Sequence, residues 1–187
     1  MKVRICDYQA GNTRSVEVAF RRLGADVAVT GDPDEVLGAD LVVLPGVGAA
    51  GTAMAALRDQ GLAEALRERT GAGSPTLGIC LGLQLALEES EEDGGVAGLG
   101  LLPGRAVRLR EGRVPRIGWA VVEPPGEAFY FAHSYGCETP AATAVSEGIV
   151  AEARLGSFVG VQFHPEKSGA AGSRYLERVV SECLSRV

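Results

Sequence analysis

The sequence has little that would serve a nucleic-acid surface, a membrane or a disulfide scaffold. Acidic residues outnumber basic ones, 24 to 18, for a formal net charge of −6. A general nucleic-acid binder needs clustered Lys and Arg to neutralise phosphates, so this balance argues against that class. No stretch approaches the roughly 20 consecutive apolar residues that a membrane helix requires. The opening segment Met1–Asp7 has no apolar secretory core and reads as a first strand, as expected of a cytoplasmic protein. The four cysteines, Cys6, Cys80, Cys137 and Cys183, lie far apart without a CxxC pair. Neither a disulfide framework nor a metal site is expected from that spacing, and reduced, mostly buried thiols are the plain reading. Histidine is scarce too, with only His133 and His164. What is present is ordinary for a globular enzyme: 46% hydrophobic and 22% charged residues in a chain of 187. That length favours one domain, residues 1–187, able to bury roughly 70% of the surface of its unfolded chain.

Short apolar runs alternate with helical patterns in the first half. Strands are predicted at Val3–Cys6, Asp26–Thr30, Leu41–Leu44 and Thr76–Ile79, the third apolar throughout, as in a parallel sheet covered on both faces. Helices are predicted at Thr13–Leu23 with Asn12 as cap, from Pro33, over Thr52–Arg69 with a break at Gly61, and over Leu81–Glu89. This βα alternation gives an α/β fold with a mostly parallel central sheet and helices on both faces. The second half is richer in Gly and Pro and offers short strands at Ala106–Leu109, Ala120–Glu123, Phe129–Ala132, Thr143–Ser146, Ile149–Ala153 and Phe158–Phe163. Several of these should pair as antiparallel hairpins. A last helix covers Ala171–Leu184. The Gly-rich stretch Gly94–Gly100 reads as a loop, and the acidic run Glu88–Asp93 as a solvated helix end.

The strongest chemical signal is Gly78-Ile79-Cys80-Leu81-Gly82, placed between an apolar strand and a helix. This is the G-x-[S/C]-x-G pattern of a nucleophile elbow. A sharp strand-to-helix turn leaves no room for flanking side chains, and it lifts the nucleophile to the carboxyl end of the sheet. The helix N-terminus beneath it favours a thiolate and directs N–H groups at a developing oxyanion. From spacing alone, a structural cysteine in a Gly-containing turn fits equally well. His164-Pro165-Glu166 changes the balance. With an extended backbone through Pro165, His164 and Glu166 project to one side. Glu166 can then orient the imidazole while its other nitrogen faces Cys80, the logic of a nucleophile, base and orienting acid. A third element, Pro45-Gly46-Val47-Gly48, follows the third strand, and its glycines allow a close backbone approach.

The segments Gly78–Gln84 (GICLGLQ), Pro45–Gly48 (PGVG) and Gln162–Ser168 (QFHPEKS) resemble the class I glutamine amidotransferases. Asp7-Tyr8 with Gly11-Asn12, Val114–Trp119 (VPRIGW) and Tyr130–Tyr135 (YFAHSY) resemble one branch of that family, the glutaminase subunits of imidazole glycerol phosphate synthases. The resemblance runs from residue 3 to about 180. It implies that Cys80 attacks the carboxamide of glutamine, that His164 moves the protons and that Glu166 orients it. It implies an oxyanion site made by the backbone of Leu81 and of the Val47-Gly48 turn. Glutamine would be bound by Gln84, the Gly48 backbone and the backbone of Ser134-Tyr135. No cofactor and no metal are implied. The partner implied is a cyclase subunit, a (β/α)8 barrel that receives the ammonia in a heterodimer, with Asn12, Trp119 and Lys167 expected to face it. The sequence departs from the branch at Arg116, Ala120 and Gln9, and in a shortened stretch between Glu123 and Phe129. Rival readings are the amidotransferase of anthranilate or aminodeoxychorismate synthesis, a silent glutamine-binding regulatory subunit, and a cysteine hydrolase or chaperone-like protein of a related α/β class.

Overall fold

The parallel sheet expected of the first half forms, and the second half extends it. The structure, a computed structural model, describes residues 1–9 and 13–185. Its strands are β1 (Lys2–Cys6), β2 (Asp26–Thr30), β3 (Leu41–Leu44), β4 (Thr76–Ile79), β5 (Glu89–Ser90), β6 (Val96–Ala97), β7 (Arg105–Arg108), β8 (Arg116–Val122), β9 (Glu127–His133), β10 (Tyr135–Glu138), β11 (Ala142–Ser146), β12 (Ile149–Leu155) and β13 (Phe158–Val161). The helices are α1 (Thr13–Arg22), α2 (Pro33–Leu37), α3 (Ala50–Asp59), α4 (Leu62–Gly71), α5 (Leu81–Ala86) and α6 (Gly169–Leu184).

Seven strands make the main sheet in the order β11-β12-β13-β4-β3-β1-β2. β2, β1, β3, β4 and β13 run parallel, and β12 and β11 continue the edge as antiparallel hairpins. β3 is buried on both faces, and its side chains alternate between two cores. Leu41 and Val43 pack with Val16 and Phe20 of α1 and Tyr175, Leu176 and Val179 of α6. Val42 and Leu44 pack with Met54 and Leu57 of α3 and Leu62 and Leu66 of α4. Period-2 alternation in a strand thus divides one apolar run between two helical layers. A smaller sheet, β10-β7-β5-β6, and the hairpin β8-β9 complete the fold.

One local expectation holds and two are corrected. The break expected at Gly61 within Thr52–Arg69 is present, giving two helices, because Gly61 is left-handed at φ 73, a conformation that glycine adopts freely. The helix after Cys80 stops at Ala86 rather than Glu89. The carbonyls of Leu85, Ala86 and Leu87 accept from Leu99, Leu101, Leu102 and Gly100, so a returning loop takes the place of another helical turn. The acidic run is accordingly not a solvated helix end. The Glu88, Glu91 and Glu92 carboxylates accept from the backbone N–H groups of Gly104, Arg108 and Ala50, which ties the small sheet and α3 together. The proposed cap Asn12 lies outside the described residues.

Candidate active site

The three sequence motifs come together because they follow three neighbouring parallel strands. β3 leads into Pro45–Gly48, β4 into Cys80, and β13 into His164. Leu44 stands opposite Gly78, and Ile79 opposite Val161. All three strands therefore end at one edge of the sheet, where open α/β sheets carry their sites.

Cys80 has φ 54 and ψ −105, a conformation that costs a non-glycine residue about 1–3 kcal/mol and is held only by its surroundings. The holding contacts are tight. A Cβ on Gly82 would lie 1.9 Å from the Leu44 carbonyl oxygen. One on Gly46 would lie 2.5 Å from the Leu81 Cβ, so the turn after β3 sits directly on the first residue of α5. Cys80 is 5% exposed and opens into a cleft of about 400 Å³ lined by Val47, Gly48, Gln84, His133, Ser134 and Tyr135, among others. A wider hollow of about 810 Å³ lies beside it among Arg105, Arg108, Arg110 and Arg113 and shares Arg108 and Ile117 with the cleft. It holds no nucleophile, and in it Arg105 pairs with Glu138 and Arg116 with Glu147.

His164 Nδ1 is 2.9 Å from Glu166 Oε1. The pairing expected from sequence is present, but the backbone differs. His164 is extended, whereas Pro165–Lys167 form a 3₁₀ turn. The ring of proline fixes φ near −65°, which suits the turn as well as an extended chain. The turn is closed by the Lys167 N–H on the His164 carbonyl at 3.0 Å. Burial lowers the pKa of His164, but the approach of Cys80, then the hydrogen bond to Glu166, and the charges of both outweigh it and raise it to about 9. The interaction with Cys80 is one of proximity and charge, since Nε2 has no hydrogen-bond partner of good geometry among the described residues. With Nδ1 committed to Glu166, it is the nitrogen available to the Cys80 sulfur, and such contacts tighten when substrate arrives.

The remaining expected residues divide. Gln84 lines the cleft, but its Nε2 donates inward to the Tyr135 carbonyl at 2.9 Å and to Gln162 Oε1 at 3.0 Å. It can offer the cleft only its oxygen. The Tyr135 carbonyl also faces His133 Nδ1 at 2.8 Å, so both of its lone pairs are occupied. Leu81 opens α5, where the first N–H groups of a helix have no intrahelical acceptor. Gly48 has φ 110 and, like Val47, is exposed. Trp119 is 59% exposed on β8, on one face with Ile117 and Val121. Lys167 is exposed beside the triad segment, and Asn12 lies outside the described residues. Arg116 lies over the Phe131 ring at 4.3 Å.

Sequence reasoning missed three contributors. Tyr8, quoted only for resemblance, is buried and donates its hydroxyl to the Pro45 carbonyl, pinning the root of the Pro45–Gly48 turn. Gln162 donates to Cys80 Sγ. His133 lines the cleft with its pKa lowered to about 4 by burial, with Arg116 and His164 adding to the effect against the hydrogen bond to Tyr135. Among the described residues, no group of three His, Cys, Asp or Glu side chains is placed to hold a metal ion, and no helix is long and apolar enough to cross a membrane.

Residues 4–183 match the family Glutamine amidotransferase class-I. The chain is 43% identical to the imidazole glycerol phosphate synthase subunit HisH of Symbiobacterium thermophilum, over 98% of this chain and 97% of that protein. It is 46% identical to the subunit HisH of Methanothermobacter thermautotrophicus, over 95% and 97%. A crystal structure of a glutamine amidotransferase shares the fold at TM-score 0.81 and 20% identity, covering 97% of this chain and 98% of that one. The strand-ending cysteine and histidine, the fold and this near full-length identity agree: the chain belongs to the class-I glutamine amidotransferases and, within them, to the HisH subunits of imidazole glycerol phosphate synthase.

Proposed function

We propose that this chain, as one domain over residues 1–187, hydrolyses glutamine to glutamate and ammonia. The observation that carries the reading is the Cys80 elbow facing a buried His164–Glu166 pair. His164 takes the thiol proton as Cys80 attacks the carboxamide carbon. The tetrahedral oxyanion is held by the N–H of Leu81 and by the Val47-Gly48 turn. His164 then gives its proton to the leaving nitrogen, and ammonia departs from the thioester. Water adds to the thioester carbon, His164 accepts its proton, and return of that proton to the sulfur frees glutamate. Gln84 presents an acceptor suited to a donor on glutamine, and Ser134-Tyr135 frame the end of the cleft where the α-amino-acid group would lie.

The name shared by the relatives, a subunit of imidazole glycerol phosphate synthase, supports a second part of the reading. The ammonia passes to a cyclase subunit, a (β/α)8 barrel, within a cytoplasmic heterodimer. Trp119 and Lys167 contribute to the surface that meets it. The test is glutamate release from glutamine by the purified chain mixed with its cyclase, alongside Cys80→Ala. Turnover that needs Cys80 supports the reading, and equal turnover by Cys80→Ala overturns it. A cyclase that uses ammonium salt but gains nothing from glutamine plus this chain overturns the partnership.

A further inference from the structure

Gln162 lies two residues before His164 and is wholly buried. Its side chain joins the nucleophile to the wall of the glutamine cleft. Nε2 donates to Cys80 Sγ at 3.5 Å. Oε1 accepts from Gln84 Nε2 at 3.0 Å and from the Cys137 thiol at 3.9 Å.

A primary amide can sit either way round, donor or acceptor first, so its neighbours decide its polarity. Here they decide it through a chain that begins at the backbone. The Tyr135 carbonyl can only accept, and it takes one hydrogen from Gln84 Nε2 at 2.9 Å. Gln84 therefore turns its NH2 inward, and its second hydrogen goes to Gln162. Gln162 must answer with its oxygen. Cys137 fits the same choice, because burial, with the charge of Cys80 adding to it, raises its pKa far up and keeps it a thiol that donates to Oε1. The end of Gln162 left for Cys80 is the donor.

A donor and an acceptor act oppositely on a thiol. Besides His164, which faces the sulfur as its base, and the buried Tyr8 and Cys137 nearby, Cys80 has one of each, since its Sγ lies 3.8 Å from the Ala132 carbonyl, which favours the thiol. The Gln162 N–H favours the thiolate, the form that attacks. We infer that Gln162 is a positioning residue for the nucleophile: its amide, held in one orientation by Gln84 and Cys137, fixes the Cys80 sulfur and stabilises its thiolate. The inference rests on the reading of Cys80 as nucleophile and adds a residue to that site.

The test is the pH dependence of Cys80 carboxamidomethylation by iodoacetamide, followed by peptide mass on the full chain. Wild type is compared with Gln162→Met, close in length and unable to donate, and with Gln84→Met, which never touches the sulfur but releases the orientation of Gln162. Near-UV circular dichroism establishes that each variant is folded. Gln162→Met should raise the midpoint by about one pH unit, the effect of losing a hydrogen bond to a charged form. Gln84→Met should raise it by less. An unmoved midpoint in folded Gln162→Met overturns the inference, and if that variant does not fold, an unmoved midpoint in Gln84→Met does so. Alkylation reads the sulfur whether or not glutamine is a substrate. Absent glutamine turnover in wild type therefore strikes the proposed reaction, whereas an unmoved titration strikes Gln162.

Discussion

Glu166 Oε1 meets His164 Nδ1 at 2.9 Å across a 3₁₀ turn, with both side chains only 3% exposed. The pair is local in sequence, but the Cys80 it serves arrives from the neighbouring strand, with Ile79 opposite Val161 in register. A nucleophile and base held by two adjacent strands of one sheet cannot drift apart without breaking that register.

Loss of either reacting group should therefore cost about as much as loss of both. Cys80→Ser and His164→Ala are expected to lower glutamine turnover at least about 10³-fold, with the double variant no worse, because groups acting as one unit are non-additive. Glu166→Ala should be milder, since the orienting member neither attacks nor carries the proton to substrate. Steady-state glutamate release by the complex measures all four. Multiplicative losses in the double variant would separate Cys80 from His164. The cyclase should still accept ammonium salt throughout.

His133 should give the protein an acid-sensitive stability. Its pKa is about 4 in the fold against an ordinary 6.5. Between those values the unfolded chain binds a proton that the folded chain refuses, so stability is present above pH 6.5 and is lost as pH falls through 4. The full effect is about 3 kcal/mol. In His133→Asn, the amide can replace Nδ1 as donor to the Tyr135 carbonyl without titrating. Urea unfolding at intervals from pH 4 to 7 should show a shallower loss for that variant than for wild type. Parallel slopes would remove His133 as the cause.

Arg69 should act as a structural rivet that lysine cannot replace. It is 2% exposed and donates to the carbonyls of Val36, Ala39 and Pro75 and to Thr76 Oγ1. No carboxylate pairs with it among the described residues, and burial lowers its pKa to about 10. Its fork joins the end of α2 to the starts of β3 and β4. Arg69→Met leaves several buried carbonyls without donors and should cost about 3 kcal/mol. Arg69→Lys should recover little, because one ammonium cannot span the fork. The urea midpoints of the three chains decide the matter.

What was legible in the sequence was what is local. The elbow, the turn after β3 and the HPE segment are short strings whose glycines, proline and spacing reflect sharp turns, and these anchor the site. Trp119 was legible as a residue but not as a surface: its exposure beside Ile117 and Val121 follows from the β8-β9 register. Gln162 and Gln84 stand 78 positions apart, Tyr8 and Pro45 37 apart, and no periodicity links either pair. The strands β5 and β6 are two residues each. They exist because neighbouring chain supplies hydrogen-bond partners, and propensity cannot announce that. Pro165 admits two backbones, and only the closing bond from Lys167 chooses between them.

Trp119 should anchor the cyclase. A half-exposed tryptophan flanked by exposed Ile117 and Val121 offers the aromatic core that interface hot spots favour. Trp119→Ala should weaken assembly by about 2 kcal/mol, some thirtyfold in Kd. Lys167→Glu should weaken it less and slow association more, as expected of a rim charge. Titration calorimetry with the cyclase reads the first and stopped-flow mixing the second. An unchanged Kd for Trp119→Ala would place the interface elsewhere.

The Pro45–Gly48 turn should make glutamine hydrolysis depend on the partner. Its first half is fixed: the Tyr8 hydroxyl holds the Pro45 carbonyl, and Gly46 is wedged against Leu81. Its second half is not. Val47 is 41% exposed, and a Cβ built on Gly48 would meet nothing within 4 Å. The Val47-Gly48 peptide is therefore the link in the turn expected to rotate, presenting either a carbonyl or an N–H to the oxyanion. Losing one such donor costs about 10²–10³ in rate. A partner that binds the N–H-inward state more tightly would raise turnover by up to that factor. The isolated chain should hydrolyse glutamine slowly, the complex faster, and the complex with cyclase substrate bound fastest. Tyr8→Phe frees the root of the turn as well, so it should lower the rate of the ligand-bound complex while leaving alkylation of Cys80 near normal. Gly48→Ala should depress the rate in every state, because φ 110 is strained for any side chain. If the isolated chain already turns over as fast as the ligand-bound complex, the turn is fixed in its active form and the partner serves only to receive ammonia.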